Sequence, residues 1–155
     1  MSYKSVKEDL KQYDMDKRII DLDESSATVP LAAKALHTDE AHIAKTMSFL
    51  VNDQVNLIVM AGDVKIDNHK YKETYHKKCK MVPFHDVEAM TGHEPGGVCP
   101  FGVKDGVNVY LDDSLKRFDH VFPAAGSAHT AIEVSIQELE KVSHPKAWVD
   151  VTKMM

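Results

Sequence analysis

Val6 and Leu10 stand four residues apart among Lys4, Lys7, Glu8, Asp9 and Lys11, an apolar stripe on a charged cylinder that predicts an amphipathic helix over 2–13. A short strand is expected at 17–22. Thr28 followed by Pro30 has the form of a helix start, so 31–36 should be a short helix. Thr38 and Asp39 open a second turn through 40–45. Two apolar runs follow, 46–51 and 55–61, joined by Asn52, Asp53 and Gln54, and together they read as a β-hairpin.

Beyond the hairpin, 67–78 is polar with Tyr71 and Tyr75 on one face, which predicts a helix, and 79–82 predicts a strand. A short helix over 85–91 should stop at Gly92. Further strands are expected at 107–111, 121–122 and 130–134. Ser135 with Glu138 three residues later forms a capping box ahead of a helix at 136–142, and 148–151 closes the set. Helices and strands are intermixed without regular alternation. That order favours a mixed α/β (α+β) sheet over a doubly wound one. The length of 155 residues suits a single domain, 1–155, and neither an internal repeat nor a linker divides it.

Composition narrows the class. A hydrophobic content of 43% and a mean hydropathy of -0.32 fit a soluble globular chain. The longest apolar run, 57–62, is strand-sized rather than membrane-sized, and the charged first residues lack the apolar core of a signal peptide. A cytoplasmic location is therefore expected. Cys79 and Cys99 form no Cys-x-x-Cys pair, and none of the nine histidines forms a His-x-x-x-His pair, so neither a disulfide framework nor a metal site is expected, and no cofactor is implied. The net charge of -5 argues against a protein that coats nucleic acid, but leaves room for recognition of a short nucleic-acid end.

Candidate chemistry concentrates in 92–102, Gly-His-Glu-Pro-Gly-Gly-Val-Cys-Pro-Phe-Gly, which holds four of the seven glycines and two of the six prolines. Glycine admits close backbone approach and proline stiffens the path, so the segment reads as a rigid, shaped loop. Gly92 as a helix C-cap and Pro95-Gly96 as a type II turn account for it structurally. A functional reading points the amides of Gly96, Gly97 and Val98 at a developing negative charge. The spacing matches neither a Walker A loop nor a dinucleotide fingerprint.

Lys45 shares strand parity with Met47, Phe49 and Val51 if its strand starts early, which would set an ammonium at the mouth of an apolar cavity. It equally suits the end of a helix, with its head in water. Ala124-Ala125-Gly126-Ser127 is a second small-residue loop, readable as a plain turn. Ser127 and His129 would share a strand face, but no Gly-x-Ser-x-Gly elbow is present. Cys99, between Val98 and Pro100, reads as a packed cysteine. His93 and Glu94 are expected at a pocket rim, in solvent.

Ala44-Lys45-Thr46 after a short helix, the hairpin, residues 91–102, Ala125-Gly126-Ser127 and the Ser135 cap occur in the order found in the YbaK/EbsC family, which the chain resembles over nearly its whole length. The combination of Lys-Thr with Gly-x-x-Pro-Gly-Gly-Val-x-Pro-Phe-Gly is specific. This family comprises aminoacyl-tRNA deacylases related to the editing domain of prolyl-tRNA synthetases. The resemblance implies a partly barrel-like sheet surrounded by helices and a freestanding ester hydrolase that removes a wrong amino acid from tRNA. Lys45 would orient or electrostatically stabilise the substrate, and the backbone of Gly97 would hold the ester oxygen. Thr46, Gly96, Val98, Gly126 and Ser127 would bind substrate, with water as nucleophile.

The implied partner is the 3′ end of a mischarged tRNA, with an aminoacyl-tRNA synthetase as a second candidate and neither membrane nor DNA. Two positions depart from described subtypes. Ala124-Ala125-Gly126 stands where the cysteine-removing subtype has Ser-Ala-Gly, and Thr46 where the alanine-specific one has Asn, so Ala, Ser, Thr and Cys all stay open. The competing classes are a non-catalytic module of the same fold, binding a nucleotide end or a synthetase, and a metal-dependent hydrolase.

Overall fold

The computed structural model describes residues 2–155. Its helices are α1 (Ser2–Lys11), α2 (Val29–Leu36), α3 (Asn68–Tyr75), α4 (Val87–Thr91) and α5 (Ile136–Ser143). The strands are β1 (Ile20–Asp21), β2 (Ile43–Val51), β3 (Gln54–Ala61), β4 (Val64–Ile66), β5 (Asn108–Asp112), β6 (His120–Pro123), β7 (Thr130–Ala131), β8 (Val134–Ser135), β9 (Ala147–Val149) and β10 (Thr152–Met154). A six-stranded mixed sheet runs β8-β6-β2-β3-β5-β9, and β1-β7 and β10-β4 form two small antiparallel pairs. The fold is a mixed α+β one, as the order of elements implies. Among the described residues no helix is long and apolar enough to cross a membrane.

β3 explains the unbroken apolar run of the sequence. It pairs antiparallel with β2 and parallel with β5, so it lies inside the sheet with both faces covered. Leu57 and Val59 face one core with Val6 and Leu10 of α1 and Leu139 and Val142 of α5. Ile58 and Met60 face the other, with Phe49, Val151 and Tyr71 of α3. At the β2–β3 turn, Asn52 (φ 51°) and Asp53 (φ 66°) are both left-handed, the signature of a two-residue type I′ hairpin. Gln54 therefore belongs to β3 and pairs with Val51.

Several expectations change for non-local reasons. The strand expected at 17–22 shrinks to Ile20–Asp21, because only those residues meet β7, and Asp16–Arg18 is a 3₁₀ turn. The turn expected through 40–45 ends at His42, capped by Asp39. β2 starts at Ile43 because Ile43 and Ala44 pair with Phe122 and Pro123 of β6. The helix expected over 67–78 ends at Tyr75, where His76 turns left-handed (φ 59°). The strand expected at 79–82 is one bridge, Met81 to Phe49. The 130–134 strand divides into β7 and β8, and the closing strand occupies Ala147–Val149.

The caps are local and form as the sequence demands. Thr28 accepts from the Leu31 N–H, and Ser135 and Glu138 complete their capping box. Arg18 donates to both Glu138 oxygens at 2.7 and 3.0 Å, which, with the Ser135 N–H, pulls the Glu138 carboxyl down to about 2. The folded value lies below the ordinary 4.5, so this stabilisation is complete above the ordinary value and disappears as pH falls through about 2. Thermal melts between about pH 5 and pH 2 should thus show a smaller acid-induced drop for Glu138→Gln than for the wild type. An equal drop in both proteins would remove Glu138 from the acid response.

Candidate functional site

A cavity of about 160 Å³ opens between the start of β2, one face of α2 and the glycine loop. Lys45 and Thr46 come from β2, Gly96 and Val98 from the loop, and Ser26, Thr28, Val29, Ala32 and Leu36 from α2 and its lead-in. Phe122, Ala124 and Ala131 complete an apolar wall. The hydroxyls of Ser26 and Thr28 are already used, on Ala128 O and as the α2 cap.

Lys45 lies within β2, opposite Met60, so the strand reading of this residue holds and the helix-end reading does not. Its Nζ donates to the Val64 carbonyl. Half-burial pushes the ammonium pKa down, opposed by the fields of Asp63 and Glu40. Asp63 is held by Arg117 through a fork of 2.6 and 3.0 Å, which keeps its carboxyl below the usual range. Among the described residues Lys45 makes no ion pair of its own. Thr46 Oγ1 is buried without a hydrogen-bond partner, a position that costs about 1–3 kcal/mol until something fills it.

The glycine loop is built as a rigid wall. Gly92 (φ 89°) caps α4 with its N–H on Glu88 O. Pro95 and Gly96 (φ 89°) occupy the middle of a type II turn closed by the Gly97 N–H on Glu94 O at 3.0 Å. The Gly97 amide is therefore committed to the turn, which corrects its assignment as an oxyanion donor. The Gly96 and Val98 amides, by contrast, have no hydrogen-bond partner among the described residues. Gly97 instead brings the two loops together, since a Cβ there would lie 2.5 Å from Gly126 C and Ser127 N.

Gly126 and Ser127 thus stand behind the wall rather than on it. The Ser127 hydroxyl is shared with Thr130 Oγ1 at 2.8 Å and receives the His129 N–H at 3.2 Å, so Ser127 and His129 form no nucleophile–base pair.

His93 is fully buried rather than solvated at the rim. A carbonyl only accepts, so His93 Nε2 carries the proton it gives to Phe101 O at 2.6 Å, tying one end of the loop to the other. Burial pushes this imidazole down and keeps it neutral. Glu94 is exposed, as expected. Cys99 is buried, as its flanks suggest. Burial pushes its thiol up to about 12, partly offset by backbone groups of Phe101 and Gly126. Native protein treated with iodoacetamide near neutral pH should leave Cys99 unmodified until denaturant is added, read by peptide mass mapping. Alkylation before unfolding would show that the loop opens. Among the described residues no group of three or more His, Cys, Asp or Glu is placed to hold a metal ion.

The sequence alone did not reveal the α2 side of this cavity. Its one signal is the small-residue face of α2, Ala32 and Ala33, which lets the helix approach the sheet closely.

Fold and site together define a mixed α+β protein with a small cavity lipped by one half-buried lysine and walled by glycine-loop backbone. The chain belongs to the aminoacyl-tRNA editing domain family, whose family model matches residues 23–142. It is 47% identical to the uncharacterized protein YwhH of Bacillus subtilis over 99% of this chain and 98% of that one. It is also 29% identical over 105 residues, 66% of this chain and 64% of the relative, to an Enterococcus faecalis protein provisionally named Cys-tRNA(Pro)/Cys-tRNA(Cys) deacylase EbsC. In fold it matches a solved structure described provisionally as a trans-editing enzyme for prolyl-tRNA synthetase, with a TM-score of 0.86 at 22% identity, covering 98% of this chain and 97% of that one.

Proposed function

We propose that this protein is a trans-editing deacylase that hydrolyses the ester of a mischarged tRNA carrying a small amino acid. The observation that carries the reading is that half-buried Lys45, without an ion-pair partner among the described residues, lines one cavity of about 160 Å³ together with Gly96 and Val98, whose amides have no hydrogen-bond partner among the described residues. An aminoacyl ester is already activated, so positioning and charge stabilisation suffice without a triad or a metal.

Water adds to the ester carbonyl carbon, and the carbonyl oxygen becomes an oxyanion held by Lys45 Nζ and the Gly96 and Val98 amides. Collapse expels the terminal ribose oxygen, which takes up the proton that the attacking water gave up, and the free amino acid departs. Thr46 Oγ1 offers a hydrogen bond to the bound substrate. Gly126 and Ser127 set the wall through Gly97. The α2 side chains limit the size of the amino acid, a selection worth about 1–3 kcal/mol per methylene. Acting on tRNA sets this work in the cytoplasm.

Incubation with tRNAs mischarged with Ala, Ser, Thr or Cys tests the reading, with release of the amino acid from at least one expected. Binding of such tRNAs without release from any would replace the deacylase by a binding module. Turnover that is abolished by a chelator and restored by zinc would replace the proposed chemistry by metal-assisted hydrolysis.

A further inference from the structure

The charge of this protein is unevenly distributed. Residues 64–82 hold six lysines against Asp67 and Glu73, a net +4, which leaves 13 basic and 22 acidic residues, a net -9, for the rest of the chain. An acidic protein with six lysines in nineteen residues carries a local cationic segment that can attract an anion although the net charge is negative.

The fold lays that segment along the strand that carries Lys45. At one end the Val64 carbonyl receives Lys45 Nζ. At the other, Leu50 N–H donates to Lys80 O at 2.8 Å and Val82 N–H to Ser48 O at 3.0 Å. From Lys45 to Ser48 along β2 is about 10 Å, so the basic strip runs from the cavity lip outward. Tyr71 and Tyr75 anchor its helix from below, with Phe49 and Tyr71 rings 5.3 Å apart, which leaves the lysines on the outside.

The lysines are not neutralised within the molecule. Lys70 pairs with Asp150 at 3.0 Å, but Lys65, Lys72, Lys77, Lys78 and Lys80 are exposed and make no ion pair among the described residues. Lys65 stands directly opposite Lys153 in the β4–β10 register, also exposed, a facing pair of like charges for which Asp67, near Lys153, supplies one carboxylate. Lys72 and Lys78 share an open depression with Asn68 and His69. Phe84, 77% exposed, stands just beyond the strip, where an unstacked base could lie on its ring.

We propose that this strip, from Lys65 and Lys153 through Lys72 to Lys77, Lys78 and Lys80, is a docking surface for the phosphates of an RNA strand whose 3′ end enters the Lys45 cavity. It rests on the deacylase reading for the choice of RNA. Regular phosphate spacing suits a linear array of point charges, and affinity then comes from counterion release rather than from base contacts.

The test is fluorescence anisotropy with an uncharged RNA hairpin ending in single-stranded CCA, titrated at about 50 and about 200 mM salt. The triple variant Lys77→Glu, Lys78→Glu, Lys80→Glu should bind at least about tenfold more weakly at the lower salt, and its salt slope should fall by about 2. The triple Lys4→Glu, Lys7→Glu, Lys11→Glu on α1 makes the same change of charge elsewhere and should bind within about twofold of wild type. If the strip triple is unfolded by circular dichroism, the glutamine triple at the same positions takes its place, with weaker binding again expected. Equal RNA affinity for the strip and α1 variants overturns the docking surface.

Hydrolysis of a 3′-O-aminoacyl adenosine, which has no RNA to dock, should be unchanged in the strip variant, and a matching loss there also overturns the proposal. Binding is read with uncharged RNA, so a wild type that cleaves no ester counts against the deacylase alone and the strip is still judged by affinity.

Discussion

Replacing Lys45 by alanine should lower the turnover of a mischarged tRNA by about 10²–10³ while leaving the melting temperature no lower than that of the wild type. The two halves of this expectation have one cause. Half-burial disfavours the ammonium, and among the described residues its one direct partner is the Val64 carbonyl. The folded pKa of Lys45 therefore lies below its unfolded value, so the charged form costs stability at every pH below the folded pKa, and the cost vanishes above about 10.5. Removing the charge at neutral pH removes that cost. The same desolvation makes the cation worth more to an oxyanion forming beside it than a hydrated lysine would be. A group acting on the transition state lowers kcat, whereas one that only holds ground-state substrate raises KM. Full activity in Lys45→Ala would sink the mechanism, and a pure KM effect would move Lys45 to substrate binding. The pH profile gives a further check: activity should decline on the alkaline side at a lower pH than free lysine titrates, and Lys45→Ala should lack that limb.

Local signals carried much of the fold. The hairpin at Asn52 and Asp53, the caps at Thr28 and Ser135 and the stop at Gly92 each depend on residues within a few positions, and each formed as their side chains and φ preferences demand. What stayed hidden was set by distant partners. Lys45 became a strand residue because the hairpin register sets it opposite Met60 of β3, and β6, nearly eighty positions later, extends β2 back to Ile43. β4 and β10 are short and exist through each other. His93 looked like a solvated rim residue, since nothing nearby in sequence announces the Phe101 carbonyl that accepts its proton under the loop. Within the site, Lys45, Thr46, Gly96 and Val98 face the cavity, while Gly97, Gly126 and Ser127 form the layer behind it. Chemistry-bearing residue types were legible. Which layer each joined depended on backbone contacts that spacing does not encode, and α2 contributes mostly apolar side chains that carry no chemical signature.

Gly97→Ala should damage the protein out of proportion to the single methyl it adds. The added Cβ would lie 2.5 Å from Gly126 C, 2.5 Å from Ser127 N and 2.7 Å from Ser127 Cα, all backbone atoms that have no rotamer to retreat into. Both loops are braced. The Gly97 N–H is tied to Glu94 O, His93 fastens the glycine loop to Phe101, and the Ala125 N–H is bonded to Thr130 O at 3.1 Å. The strain is therefore relieved by separating the loops, at a cost of about 1–3 kcal/mol for overpacking. At about 2–4 °C per kcal/mol this shows as a lower melting temperature. Activity should fall further than stability does, because Gly96 and Val98 on the cavity side move with Gly97, and a displacement of about 1 Å costs about 10²-fold in rate. Differential scanning calorimetry and a deacylation assay on the same preparation, kept well below the melting temperature, separate the two effects. A variant that melts early but deacylates at the wild-type rate would show that the cavity wall does not depend on the contact between the loops, and the amides of Gly96 and Val98 would then lose their proposed part in holding the ester oxygen.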